Sequence, residues 1–199
     1  MKSLLQDDRA YGNMSFVVVV AFLSILLAGG MANVLTVGVN TVFTVHNSQV
    51  DAGTATQQTA DNLLFAKNTF TMLSILTIIG VLIWAKMHSA IESTTTDATL
   101  LLGSVVVMYL MAFFSMVLVL GFGMTLDIFT FVVDTAGLHD NLSASWAGVQ
   151  DNTKPIISIV YVLCQLPCIV GIFAFFMNAV RKTTGTAVDY SEYQMTGED

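Results

Sequence analysis

Apolar residues fill most of the chain in four long stretches, which short polar segments separate. These stretches cover residues 14–45, 63–84, 98–133 and 155–180. A helix needs about 20 residues to cross a hydrocarbon core of about 30 Å, and every stretch reaches that length. The pattern therefore predicts an all-α integral membrane bundle of four transmembrane helices, at about 14–47, 63–86, 98–133 and 155–181.

Two of the four stretches are too long for a simple crossing. As one helix, residues 98–133 would measure about 54 Å at 1.5 Å per residue. The first stretch also overruns, because a mixed segment, TVGVNTVFTVHNSQV, follows Leu35. We expect helices 1 and 3 to extend beyond the bilayer on the outer side. The alternating valines of 36–48 would also suit a strand, but a four-residue ridge through them favours helix.

That ridge places a small or polar residue at every fourth position of the first helix. Residues four apart are neighbours on a helix surface. Small residues allow helices to approach closely in lipid, and Ser, Thr and Asn can hydrogen-bond between helices. We expect the ridge, called the seam below, to face protein: either the third or fourth helix, or a second copy. Its members are Ser24, Ala28, Ala32, Thr36, Asn40, Thr44 and Ser48.

Composition agrees with a membrane location and excludes one class of partner. Hydrophobic residues make up 55% of the chain and charged residues 11%, whereas a soluble domain has about 25% charged residues. The formal net charge of -7 argues against nucleic-acid binding, which needs clustered Lys and Arg. The polar segments are too short to bury a second core, which predicts one domain over 1–182 and a disordered acidic tail at 183–199.

Basic residues predict the orientation in the membrane. With four crossings, five of the seven fall on the side of the N-terminus, which favours cytoplasmic N- and C-termini. A plasma membrane or a virion membrane would suit this arrangement. The acidic residues Asp7 and Asp8 do not fit the positively charged start of a signal peptide. We therefore expect residues 1–32 not to be cleaved and the first helix to be retained. The five are Lys2, Arg9, Lys86, Arg181 and Lys182.

Three residues are candidates for a pathway or a hinge. Asp127 follows a run without charge that starts at Ala98; the length of helix 3 places it at the outer interface, and the alternative is a functional intramembrane carboxylate. Pro167 removes a helical hydrogen bond in the fourth stretch, and Gln165 lies beside it. This region predicts either a packing kink or a polar constriction.

No motif for catalysis, nucleotide binding or metal binding occurs in the sequence. Cys164 and Cys168 are two thiols, and zinc needs four ligands. We therefore expect no cofactor, no metal and no enzymatic activity. The leading hypothesis is a structural or assembly subunit of a larger membrane complex in a cell envelope, secretion apparatus or virion. Its partners would be the lipid bilayer and other membrane subunits, including itself. The alternative is a small channel or transporter lined by Asp127, Gln165 and Pro167.

Overall fold

The computed structural model describes residues 8–89, 95–135 and 139–180. They form four helices, which are α1 (Asp8–Asp51), α2 (Gln57–His88), α3 (Thr95–Thr135) and α4 (His139–Val180). No strand occurs in these ranges, which confirms the all-α prediction and the helical state of 36–48. The tail at 183–199, predicted to be disordered, lies outside the described residues.

The fourth helix begins much earlier than predicted. The sequence indicated a loop up to about residue 154, but α4 starts at His139 and continues through Pro155 and Pro167. Contacts with α3 help to explain this: the rings of Trp146 and Phe129 lie 6.2 Å apart, and Trp146 Nε1 donates to Thr130 Oγ1 at 3.4 Å. Tertiary contacts of this kind override weak intrinsic helix propensity.

The two middle helices form the centre of the bundle. α2 and α3 contact each other and both remaining helices, whereas α1 and α4 lie on opposite sides and do not touch within the described residues. The core between them is filled by large apolar and aromatic side chains. Its most deeply buried members include Phe70, Leu73, Val81, Trp84, Leu101, Val105, Met108, Tyr109 and Phe175.

Two glycines allow α4 to pack closely against its neighbours. The ring of Phe175 occupies the space where a side chain at Gly80 of α2 would begin. A side chain at Gly171 would come within 2.9 Å of Met111 Cβ on α3. Close contacts on both sides leave α4 firmly seated along this part of its length.

All four helices are long and apolar enough to cross a membrane. Large apolar side chains are exposed on each of them, among them Phe22, Leu82, Leu110 and Phe173. Lipid tails can solvate such surfaces, which water would not. The structure therefore supports a four-helix membrane protein.

Candidate functional site

The connection between α1 and α2 is a short turn closed by backbone hydrogen bonds. Gly53 has a φ of +74°, and its N–H donates to the carbonyl of Val50 at 2.9 Å. The N–H of Thr54 donates to the carbonyl of Gln49, also at 2.9 Å. These two bonds close α1 in a Schellman motif, which favours glycine at the left-handed position. The end of the bundle that carries this turn is called the turn end below.

Asp127 of α3 binds the backbone of the residue just before α2. Thr56 precedes α2 in an extended conformation, and its N–H donates to Asp127 Oδ1 at 3.0 Å. The Asp127 side chain is only 6% exposed. A carboxylate at a helix N-terminus also interacts favourably with the positive end of the helix dipole. Asp127 therefore fastens the start of α2 to α3.

A chain of hydroxyl groups continues from Thr56 to α4. The hydroxyl oxygens of Thr56 and Thr59 lie 3.1 Å apart, and that of Thr59 lies 3.0 Å from the hydroxyl of Tyr161. Thr59 and Tyr161 are both buried. Because a buried hydroxyl is costly without a partner, this chain stabilises one particular arrangement of α2, α3 and α4.

Gly123 permits α2 to approach α3 at this point. A side chain added at Gly123 would clash with the methyl and hydroxyl groups of Thr59. The neighbouring Phe122 contacts the Tyr161 ring edge to face, with centroids 5.1 Å apart. The GFG sequence at 121–123 thus supplies both the space for Thr59 and an aromatic wall for Tyr161. The four residues Asp127, Thr56, Thr59 and Tyr161 are called the turn-end cluster below.

Three cavities adjoin the turn-end cluster. Asp127 lines two of them, of about 210 and about 230 Å³, which share Thr54, Ala55 and Phe131. A third cavity of about 310 Å³ lies between α2 and α4 and is lined by Tyr161 and Gln165. The cluster therefore separates cavities on the α3 side from the cavity on the α4 side.

The structure places Asp127 and Gln165 at different cavities on either side of the turn-end cluster, and Pro167 beside a contact between α4 and α3. Gln165 lies one helical turn from Tyr161, and its Nε2 is buried with no hydrogen-bond partner in the described residues. Just after Pro167, the N–H of Cys168 donates to Ser115 Oγ of α3 at 2.9 Å. A proline disturbs the helical hydrogen bonds beside it, and here the neighbouring helix binds the backbone.

The seam does not stay on one face of α1. Four residues advance by about 40° more than a full turn of an α-helix, so the row winds by about 240° from Ser24 to Ser48. Its first members are buried on α1, a helix that contacts α2 and α3 but not α4 within the described residues. Ser24 and Ala28 are buried, Ala32 and Thr36 are half-buried, and Asn40, Thr44 and Ser48 are exposed.

Several polar residues of interest were not predicted from the sequence. Thr56, Thr59 and Tyr161 carry no local signal, because their partners lie 71 and 102 residues away along the chain. His46 is another such residue: it is 2% exposed, and neither ring nitrogen has a hydrogen-bond partner in the described part of the chain. Only its place among the valines of α1 hinted that it might be buried.

Neither metal-binding side chains nor comparisons with known proteins indicate a function. Among the described residues, no three His, Cys, Asp or Glu side chains are grouped in a way that could hold a metal ion. Cys164 and Cys168 are free thiols. Comparisons of the chain with models of protein families, with curated proteins and with solved structures gave no match.

Proposed function

We propose that this protein is a non-enzymatic structural or assembly subunit of a membrane complex. It associates with another copy of itself, or with a neighbouring membrane subunit, through the exposed part of the seam at Asn40, Thr44 and Ser48. The observation that carries this proposal is the change in exposure along the seam, since its other half already packs within the protomer.

The chemistry of the exposed part suits association between helices. The hydroxyls of Thr44 and Ser48 donate to the backbone carbonyls of Asn40 and Val45, so their polarity is partly satisfied within α1. Asn40 retains a side-chain amide that can both donate and accept a hydrogen bond. Outside the hydrocarbon core, a hydrogen bond of this kind to a neighbouring helix is worth about 0.5 to 1.5 kcal/mol.

Helix length supports the placement of this part outside the hydrocarbon core. α1 has 44 residues and α3 has 41, which correspond to about 66 and 62 Å. Both exceed the core of about 30 Å. In the proposed arrangement the turn end extends on the outer side, and the N- and C-termini are cytoplasmic. The bilayer is a plasma membrane or a virion membrane.

Disulfide cross-linking tests this proposal. In a Cys164→Ala, Cys168→Ala background, we expect Ser48→Cys to give a cross-linked species of twice the protomer mass in native membranes. Ser158→Cys is the matched control, because Ser158 is exposed on α4, on the opposite side of the bundle. A protomer that stays monomeric in mild detergent, with equal and low cross-linking at both positions, would contradict the proposal.

A small channel or transporter is the second candidate. It is favoured by the position of Asp127 and Gln165, which line cavities on either side of the turn-end cluster. The close packing at Gly80 and Gly171 would have to open for a path along α4 through one protomer. The candidate predicts ion flux in liposomes that falls in Asp127→Asn and Gln165→Leu. Flux that is absent, or unchanged in both variants, would remove it.

A further inference from the structure

Asp127 carries a buried carboxylate that forms no ion pair within residues 8–89, 95–135 and 139–180. Two lysines of α2 and α4 are engaged elsewhere. Lys67 Nζ lies 4.9 Å from the centroid of the Phe43 ring, and Lys154 Nζ lies 2.7 Å from Asp151 Oδ1. The dipole of α2 supplies only about half a positive charge at its N-terminus. Part of the carboxylate charge therefore remains without compensation, which is unfavourable for a buried group.

One oxygen of this carboxylate is unused. Oδ1 accepts the N–H of Thr56, whereas Oδ2 is buried and has no partner in the described part of the chain. Other parts of Asp127 contribute to the lining of both cavities at the turn end. The position therefore combines residual negative charge, a free acceptor and a cavity.

The other polar side chains that line these cavities are uncharged: the Gln49 amide and several threonine hydroxyls. Residues 52–55 of the turn line the cavity of about 230 Å³, and their carbonyls accept no backbone hydrogen bond within the described residues. The Thr54 hydroxyl donates to the Gln49 carbonyl, and its oxygen can still accept or coordinate. Oxygen ligands suit hard cations, and Ca²⁺ sites usually contain several carboxylates. One carboxylate among neutral oxygens instead matches a single positive charge.

We propose that the turn end binds one small alkali-metal cation, such as Na⁺, with Asp127 Oδ2 and the carbonyls of residues 52–55 as its ligands. The cation neutralises the charge that the α2 dipole leaves uncompensated. It also joins the α1–α2 turn to α3 through several oxygen ligands. Without the cation, the bond from the Thr56 N–H to Asp127 links the turn to α3. This proposal does not depend on the proposed function.

The first test measures thermal unfolding of the purified full chain in detergent. NaCl replaces N-methylglucamine chloride at constant ionic strength. We expect the unfolding midpoint to rise by about 3 °C or more once Na⁺ is tenfold above its dissociation constant. In Asp127→Asn, which keeps a carbonyl oxygen but removes the charge, this rise should disappear. Asp61→Asn is the control, because Asp61 is exposed on α2 and does not line the cavities; its rise should match that of the unaltered protein.

A second test needs no variant, so it remains decisive even if Asp127→Asn fails to fold. Equilibrium binding of radioactive Na⁺ to the unaltered protein should saturate near one ion per chain and be displaced by unlabelled Na⁺. No saturable binding, or equal stabilisation by N-methylglucamine chloride, would overturn the proposal in favour of a site that holds only water. Tighter binding of Ca²⁺ than of Na⁺ would also overturn it.

Discussion

The two ends of α2 are both held by a side chain from another helix, but they differ in chemistry. At the turn end, the carboxylate of Asp127 accepts the N–H of Thr56. At the other end, Asn13 Nδ2 of α1 donates to the carbonyl of His88 at 3.1 Å. Each side chain complements the helix terminus that it contacts, since free N–H groups lie at the first end and free carbonyls at the second.

The two ends differ in whether the contacting side chain only stabilises the helix terminus or could also bind a ligand. His88 is packed as well as bonded: its ring stacks on Trp84, with centroids 4.7 Å apart, and its Nδ1 lies 2.9 Å from the Trp84 carbonyl. A neutral amide holds this end, and Asn13 and His88 make further interactions. Asp127 instead is an acidic side chain with one unpartnered oxygen, and the residue also lines cavities. The turn end therefore differs from the other end by an acidic side chain and by an acceptor oxygen that is not used.

Replacement of Asp127 should produce the largest effect. We expect Asp127→Ala to lower the free energy of unfolding by about 3 kcal/mol, because it leaves the Thr56 N–H unpartnered and removes a charge-assisted hydrogen bond. Asp127→Asn keeps an acceptor and should cost about half as much. Chemical denaturation in detergent micelles with NaCl measures both values. An alanine variant as stable as the unaltered protein would show that the bond contributes nothing.

Two glycines of α3 should behave differently. Gly123→Ala forces a methyl group against Thr59, and overpacking of this kind costs about 1 to 3 kcal/mol. Gly121→Ala has no atom within 4 Å of the added group, so it should be neutral or slightly stabilising through helix propensity. The same denaturation measurement compares them. Equal effects would contradict the close approach of α2 and α3.

The hydroxyl of Tyr161 should contribute a smaller amount. Tyr161→Phe keeps the aromatic contact with Phe122 but removes one of the two hydroxyl partners of Thr59, which should cost about 1 kcal/mol. In the double variant Thr59→Val, Tyr161→Phe, the loss should be smaller than the sum of the two single losses. Strictly additive effects would indicate that the two hydroxyls do not interact.

The opposite end of α2 should be the least sensitive. Asn13→Ala removes a neutral, partly buried hydrogen bond to the His88 carbonyl, and such a bond contributes about 0.5 to 1.5 kcal/mol. The loss should therefore be below that of Asp127→Ala in the same denaturation experiment. A larger loss at Asn13 than at Asp127 would reverse the comparison between the two ends.

Sequence patterns predicted the fold well where the information is local. Long apolar stretches are sufficient to predict four helices, because the requirement to satisfy the backbone in lipid leaves few alternatives. The predicted start of α4 was wrong, because contacts of Trp146 with α3 help to keep residues 139–154 helical. The winding of the seam could have been calculated from helix geometry alone.

The candidate site was predictable only in part. Asp127 stood out because it is a charge after a long apolar run, but its partner Thr56 belongs to another helix. In the sequence, Tyr161 does not differ from other aromatic residues of an apolar stretch; its contact with the Thr59 hydroxyl is seen only in the structure. Sequence shows which residue is out of place, whereas the pairing of helices decides what that residue contacts.

The most direct test of the role of Asp127 is the exchange rate of the Thr56 amide proton, measured by NMR in nanodiscs. Local protection reports the bond itself and not the stability of the whole bundle. We predict that this amide exchanges about tenfold more slowly in the unaltered protein than in Asp127→Ala, with Asp127→Asn in between. Equal exchange in all three proteins, with the other α2 amides unchanged, would contradict the account.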